Sequence, residues 1–337
     1  MPIAVDAMGG DFYPQNPVAG AIKAVKEKNI DVILVGDESL IMRELDKHRF
    51  NPNRVEVIHA KEIVEMGDHV LTALRLKKES SMRLCFNLFK SNQVDGIVSA
   101  GNSGAMLAIG HYILKTIPGI DRPCISALLP SEKDKVLLVD AGANVDCTPE
   151  SMVQFALLGS LYIEEIHKKK NPTVGLLNIG AEEGKGDERS QRVYELLKTS
   201  PLNFVGNIEG QTFFHGDIDV VVADGFTGNV LLKSVQGAAD FVTKLLHAEV
   251  KRSLFSKIGA IAFYPSLRSL KKKTNYAEFG GAPLLGLKGN SIVCHGRSNP
   301  QAIAYAIKFS HWASEAKLVE KIEQKMPDYL RLFQQPA

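Results

Sequence analysis

The chain has 337 residues, 45% of them hydrophobic and 23% charged, with a formal net charge of +2. That supplies apolar material for a large buried core and too little charge for disorder or for a general nucleic-acid-binding surface. Cys85, Cys124, Cys147 and Cys294 form no C-x-x-C pair and the histidines show no H-x-x-H spacing, so neither a disulfide frame nor a metal site is expected.

Residues 3–6 already read as a strand, with no basic leader before them, and no apolar run approaches membrane length; a soluble, cytoplasmic protein is expected. Further strands are predicted at 32–35, 55–59, 94–99, 125–129, 136–140, 173–178, 220–223 and 291–294. Most are nearly continuous in Val, Ile and Leu, as strands covered on both faces are. Helical periodicity falls at 17–28, 39–48, 81–90, 103–114, 149–167 and 188–198. The alternation predicts a three-layer α/β/α fold with a doubly wound, mostly parallel sheet, in a single domain spanning 1–337.

Residues 230–257 read as one long helix, prolonged by a shorter piece at 259–273. Val242, Leu246, Val250, Leu254 and Ile258 recur at i+4, with Phe241, Leu245 and Phe255 beside them. Lys244, Lys251, Arg252, Lys257, Arg268, Lys271, Lys272 and Lys273 face only Asp240 and Glu249 across 240–275. This protruding segment, 230–275, suits either a dimer interface with a solvated charged face or a cationic surface for anionic lipid or an acidic protein.

Glycine-rich polar turns follow the strands: D-A-M-G-G-D at 6–11, S-A-G-N-S-G-A at 99–105, D-A-G-A-N at 140–144, N-I-G-A-E-E-G-K-G at 178–186 and D-G-F-T-G-N at 224–229. In a parallel sheet all carboxyl ends share one rim, so these turns are expected to converge on one crevice. Glycine admits close backbone approach, and helix N-termini favour anions. Asn102, Ser103 and Gly104 open a helix and suit an anion, although Asn and Ser also cap helices without a ligand. Neither G-x-G-x-x-G nor a complete P-loop occurs, so no nucleotide is implied. Lys185 reaches freely from between two glycines, and a solvated loop lysine is the plainer reading. Asp6, Asp140 and Asp224 would repel an anion and are read as anchors of turn N–H groups. Cys294 next to His295 suggests a nucleophile and its base, but adjacent strand residues point to opposite faces, which favours a buried Cys294 with His295 and Arg297 facing the site.

Together with G-N-I-E-G at 206–210, Y-A-E-F-G-G-A-P-L-L-G at 276–286 and H-G-R-S at 295–298, these turns come in an order that strongly resembles the bacterial phosphate acyltransferase (PlsX) family over nearly the whole chain. Ser103 stands where that family often has Thr, and Arg297 where it often has Ser; the added cation could bind phosphate or pair with an acid. The resemblance implies a fold similar to phosphotransacetylases and to isocitrate and isopropylmalate dehydrogenases. It implies acyl transfer from acyl-acyl-carrier-protein to inorganic phosphate without an organic cofactor. A homodimer and peripheral contact with an anionic membrane surface are implied too, with a membrane glycerol-3-phosphate acyltransferase as the user of the acyl phosphate.

On this reading Asn102, Ser103 and Gly104 hold phosphate with help from Lys185, and Asn144, Gly180 and Arg297 complete the substrate-binding set. Asn229 and His295 polarise the carbonyl or protonate the leaving thiolate, and Asp224 orients a donor. Lys251, Arg252, Lys257, Arg268 and Lys271, Lys272 and Lys273 contact carrier or membrane. The alternatives are a phosphotransacetylase-like enzyme using acyl-CoA and a non-catalytic carrier- or lipid-binding scaffold.

Overall fold

The segment VILVG at Val32–Gly36 is buried at every position, as a strand with helices on both sides must be. Strands of this composition assemble, in a computed structural model that describes residues 1–253, 255–260, 263–265 and 281–334, into one eleven-stranded sheet. The first half contains β1 (Ile3–Asp6), α1 (Gln15–Lys28), β2 (Val32–Gly36), α2 (Glu38–Leu45), β3 (Val55–His59), α3 (Val70–Arg75), α4 (Ser81–Lys90), β4 (Gly96–Ser99) and α5 (Ser103–Leu114). Next come β5 (Cys124–Pro130), β6 (Lys135–Val139), α6 (Pro149–His167), β7 (Thr173–Leu177), α7 (Glu188–Lys198), β8 (Asn203–Ile208), β9 (Val220–Val222) and α8 (Gly225–Arg252). β10 (Ala282–Leu285), β11 (Ser291–Val293), α9 (Pro300–Glu315) and α10 (Leu318–Gln334) follow.

The strand order is β3-β2-β1-β4-β11-β10-β5-β6-β9-β7-β8. Pairing is parallel from β3 to β11 and again from β6 to β8. Between these blocks β10 pairs antiparallel with β11 and with β5, and β5 pairs antiparallel with β6. The sheet is mostly parallel and flanked by helices, but its two halves run in opposite directions. The single rim expected from the sequence is therefore absent.

Register restores the convergence by another route. Ser99 pairs with Val293 and Val293 with Ala282, while Leu284 pairs with Ile125 and Ser126 with Val139. Following β10 across, the carboxyl ends of β4 and β11 come level with Ala127, beside the carboxyl end of β6. The two halves point their carboxyl ends at each other over the middle of β5.

Alternation of side chains sets the layers. Ile3, Val5, Val32 and Leu34 pack with α1, α2 and α9 on one face of the first half. Leu137 and Val139 pack with α6, α7 and α10 on the corresponding face of the second. Ala4, Ile33, Val136 and Leu138 share the opposite face, where α5 packs through Ile109 and the start of α8 through Leu231 and Leu232. β5, with Ile125, Ala127 and Leu129 on that face, lies between them.

Some elements exceed the sequence-based set. α3, β8, β10, α9 and α10 are additional, and α8 begins at Gly225 rather than 230. The residues of D-G-F-T-G-N are thus a cap and a first helical turn, not an open loop. Gly225 and Gly228 seat that turn on the backbone after β6: a Cβ at Gly228 would lie 1.9 Å from the Asp140 carbonyl oxygen, and one at Gly225 2.7 Å from the Asn144 nitrogen. From 237 to 249 α8 is exposed at every position, including Phe241, Val242, Leu245 and Leu246. Leu254, Arg268, Lys271, Lys272 and Lys273 lie outside the described residues, as does 276–280 of the family motif.

The seating of α8 predicts a contrast within one helix. Gly228→Ala forces a methyl group into fixed backbone and is expected to cost roughly 3 kcal/mol and several degrees in Tm. Gly237→Ala meets nothing within 4 Å and is expected to be neutral or to stabilise by up to about 1 kcal/mol. Thermal unfolding of both variants checks this, and equal effects would show that the contact does not constrain α8.

Candidate functional site

The acids at the strand ends are occupied in fixing turns. Asp140, fully buried, accepts from the backbone N–H groups of Ile125 (3.0 Å), Gly142 (3.2 Å), Ala143 (3.0 Å) and Asn144 (2.7 Å) and from Asn144 Nδ2 (2.9 Å). These donors favour its ionised form, yet burial outweighs them and raises its pKa. Asp6, also raised by burial, accepts from Ser99 Oγ at 2.6 Å, and Ser99 Oγ accepts from Gly101 N–H at 3.0 Å. The β1 and β4 turns are thereby tied together. Asp224 caps α8 by accepting from Phe226 and Thr227 N–H at 2.9 and 3.0 Å, and its other oxygen takes Thr227 Oγ1 and Arg189.

Two helices open toward the middle of β5 in different states. At α8 the cap consumes the leading donors: Gly225 N–H donates to the Asn144 carbonyl, and Asp224 takes the next two. At α5, Asn102 Oδ1 accepts from Ala105 N–H at 3.0 Å, leaving the Ser103 and Gly104 N–H groups at the head of the helix. Asn102 Nδ2 meanwhile holds the Met66 and Asp68 carbonyls, each at 3.1 Å. The Asn102 side chain is therefore committed to structure, and the anion-binding capacity lies in the backbone beside it and in Ser103 Oγ.

A cavity of about 420 Å³ occupies the gap between the helices. Asn102, Ser103 and Gly104 line it from α5, Asn229 from α8, and His295 and Arg297 from the turn after β11. Ile125, Ala127, Leu128 and Leu129 of β5, with Ala282 and Val293, give it an apolar wall. Leu232, Lys233 and Gln236 also line it; with Asn229 they recur at i, i+3, i+4 and i+7, one stripe of α8. Sequence reasoning missed these three. Gly142, with φ of +137°, lets Asn229 approach, since a Cβ there would come within 3.2 Å of the Asn229 side chain.

The other sequence-derived residues lie outside this lining. Lys185 is exposed on the loop after β7, which is pinned by Asn178 Nδ2 to the Lys185 carbonyl at 3.0 Å. Gly180 is buried in the same loop against Glu182 and Lys185, and Asn144 is buried, donating to the Pro123 carbonyl and to Asp140. Asp224 orients neither Asn229 nor His295, its oxygens being filled as above. Lys251, Arg252 and Lys257 are exposed at the far end of α8 and just beyond it, away from the cavity. Among the described residues no group of three or more His, Cys, Asp or Glu is placed to hold a metal ion, and no helix is long and apolar enough to cross a membrane.

The Cys294–His295 pair resolves as strand alternation requires. Cys294 is buried and its thiol is pushed up to about 12 by burial, so it holds its proton near neutrality. His295 is exposed on the cavity rim, and its Nδ1 accepts from Arg297 N–H at 3.1 Å. A ring nitrogen that accepts is unprotonated, so neutral His295 carries its proton on Nε2 as a donor. Arg297 Nε lies 3.7 Å from Asp11 Oδ2 with most of its side chain exposed, so the added cation pairs loosely with an acid and still lines the cavity.

A sequence model of the family described as "Fatty acid synthesis protein" matches residues 1–321. A protein named phosphate acyltransferase from Dictyoglomus turgidum is 46% identical over 324 residues, covering 96% of each chain. Another so named, from Syntrophotalea carbinolica, is 44% identical over 328 residues, covering 97% of this chain and 92% of the relative. Among solved structures, a phosphotransacetylase from Streptococcus pyogenes superposes with a TM-score of 0.62 at 16% identity, covering 95% of this chain and 94% of that one. At that identity the likeness is one of fold.

Because all four cysteines are buried, iodoacetamide at pH 8 is expected to leave the native chain unmodified over an hour and to label every cysteine in urea. Mass spectrometry checks this. Rapid, selective labelling of Cys294 would mark it as an activated thiol.

Proposed function

The chain belongs to the phosphate acyltransferase (PlsX) family, and from that premise we propose that it transfers a fatty acyl group from acyl carrier protein to inorganic phosphate. One observation carries the reading: a single cavity joins open helix N–H donors and cations to an apolar wall. Such a site suits an anion beside an acyl chain.

In this reading the N–H groups of Ser103 and Gly104, with Ser103 Oγ, grip phosphate at the positive end of α5. Lys233 and Arg297 add charge from the rim. A phosphate oxygen attacks the thioester carbonyl carbon, forming the C–O bond as the C–S bond breaks. Asn229 Nδ2 donates to the developing oxyanion, and His295 Nε2–H hydrogen-bonds the departing sulfur, which takes up the proton that the phosphate hydroxyl sheds as acyl phosphate forms. The products are acyl phosphate and free carrier thiol. Phosphate is already a competent nucleophile, so positioning and oxyanion stabilisation suffice without a covalent acyl-enzyme. Lys185, exposed and outside the lining, has no step in this scheme, and Asn144, Gly180 and Asp224 support the turns.

The same proposal covers the rest of the chain as one catalytic unit with an arm. The exposed apolar face of α8, at Phe241, Val242, Leu245 and Leu246, supports a homodimer. Lys251, Arg252 and Lys257 just beyond it suit an acidic carrier protein or anionic lipid at the bilayer where acyl phosphate would be used by a glycerol-3-phosphate acyltransferase.

Thiol release from acyl-carrier-protein and from acyl-CoA, with and without phosphate, is the test. Phosphate-dependent release with a strong preference for the carrier substrate is expected. Preference for acyl-CoA would favour a phosphotransacetylase-like enzyme, and no thiol release from either donor in the presence of phosphate would favour a non-catalytic scaffold. Asn229→Ala and His295→Ala are each expected to lower kcat by roughly 100-fold or more, whereas Cys294→Ser and Lys185→Ala are expected to stay within about threefold. A loss at Cys294→Ser comparable to that at His295→Ala would replace direct attack with a covalent route.

A further inference from the structure

A second groove, of about 320 Å³, lies past the far end of the β5 wall. It shares two lining residues with the site cavity, Leu129 and Gln236. Beyond this neck its walls are Pro130, Phe214, Val235 and Ala239. The walls are fixed: Glu132 N–H donates to the Phe214 carbonyl at 2.8 Å, and Phe214 packs edge-on against Phe213, which is buried.

We propose that this groove receives the distal methylenes of a long fatty acyl chain, with Leu129 and Gln236 forming the neck between tail and chemistry. The inference rests on the acyltransfer reading above and extends it to the choice of donor. Continuity decides the occupant, since a chain lying along β5 from the carbonyl site meets the groove next. Charge supports the orientation: Glu132 is the charged residue on this lining, and it would repel a carboxylate or phosphate while leaving a methyl end undisturbed. A pantetheine arm would strand its amides against carbon here, so the arm enters by the His295 rim instead.

Helix rise gives the scale. From Asn229 to Gln236 α8 advances about 10 Å, and to Ala239 about 15 Å. A zigzag chain with C–C bonds of ~1.5 Å advances about 1.3 Å per methylene. Donors of up to roughly eight carbons therefore stay within the first cavity, and longer ones pass the neck. Each methylene denied burial weakens binding about fourfold.

Ala239→Trp fills the groove from α8. The ratio of kcat/KM for palmitoyl- over octanoyl-carrier-protein is expected to fall at least about tenfold relative to the unmodified chain, since several methylenes lose their place. Should the tryptophan variant fail to fold, Val235→Phe blocks the same groove with less bulk and carries the same expectation. A ratio within about twofold of the original, or an equal fall for both donors, would overturn the groove assignment alone. Unmodified protein that releases no thiol from either donor would overturn the parent reading and this inference with it.

Discussion

A run of three antiparallel pairings, β11 with β10, β10 with β5 and β5 with β6, is the constraint from which the site follows. It reverses the second half of the sheet relative to the first. In a fully parallel sheet, strand ends meet at one rim and a ligand sits above it. Here the ends of β4 and β11 meet those of β6 and β9 head-on, and the cavity lies over the face of β5. That geometry puts an apolar strand under a ring of polar turns, which a rim site would not do.

Everything around the cavity serves to hold that confrontation in register. Asp140 gathers donors from β5 and from its own turn, so the two antiparallel strands cannot slide without stranding a buried carboxylate. Gly225 and Gly228 bring α8 against the same turn, and Gly142 lets Asn229 approach it. On the opposite bank Asp6 and Ser99 lock the β1 and β4 turns, and Asn102 secures both the head of α5 and the loop through Met66 and Asp68. The acids and amides that look reactive in the sequence are mostly structural. In the proposed scheme the donors that act are the Ser103 and Gly104 N–H groups, Ser103 Oγ, Asn229, His295, Lys233 and Arg297.

Much of this was legible in the residues, and what was not has physical causes. Continuous Val, Ile and Leu runs located the central strands, because burial on both faces imposes that composition. Strand direction was hidden, since a glycine turn follows a strand whichever way it runs and direction depends on distant pairing. β8, with the sequence NFVGNI, and β10, with APLL, carry weak local signals and owe their strand form to neighbours. The α9 start was readable, with Asn299 capping and Pro300 in the first turn. Lys233 and Gln236 fall inside the helix expected from 230, but only a helix begun at Gly225 places them on one stripe with Asn229. Lys185 drew attention through its flanking glycines, which instead give φ values of +86° and +91° in an exposed loop.

The central claim is that phosphate binds where the two opposed half-sheets meet, at the head of α5 and beside the β5 wall. A crystal structure of the unmodified chain grown with saturating phosphate tests it most directly. The account predicts phosphate density within hydrogen-bond distance of the Ser103 and Gly104 N–H groups, facing Asn229 and His295 across the cavity. Density instead on the loop around Lys185, with the head of α5 empty, would contradict it.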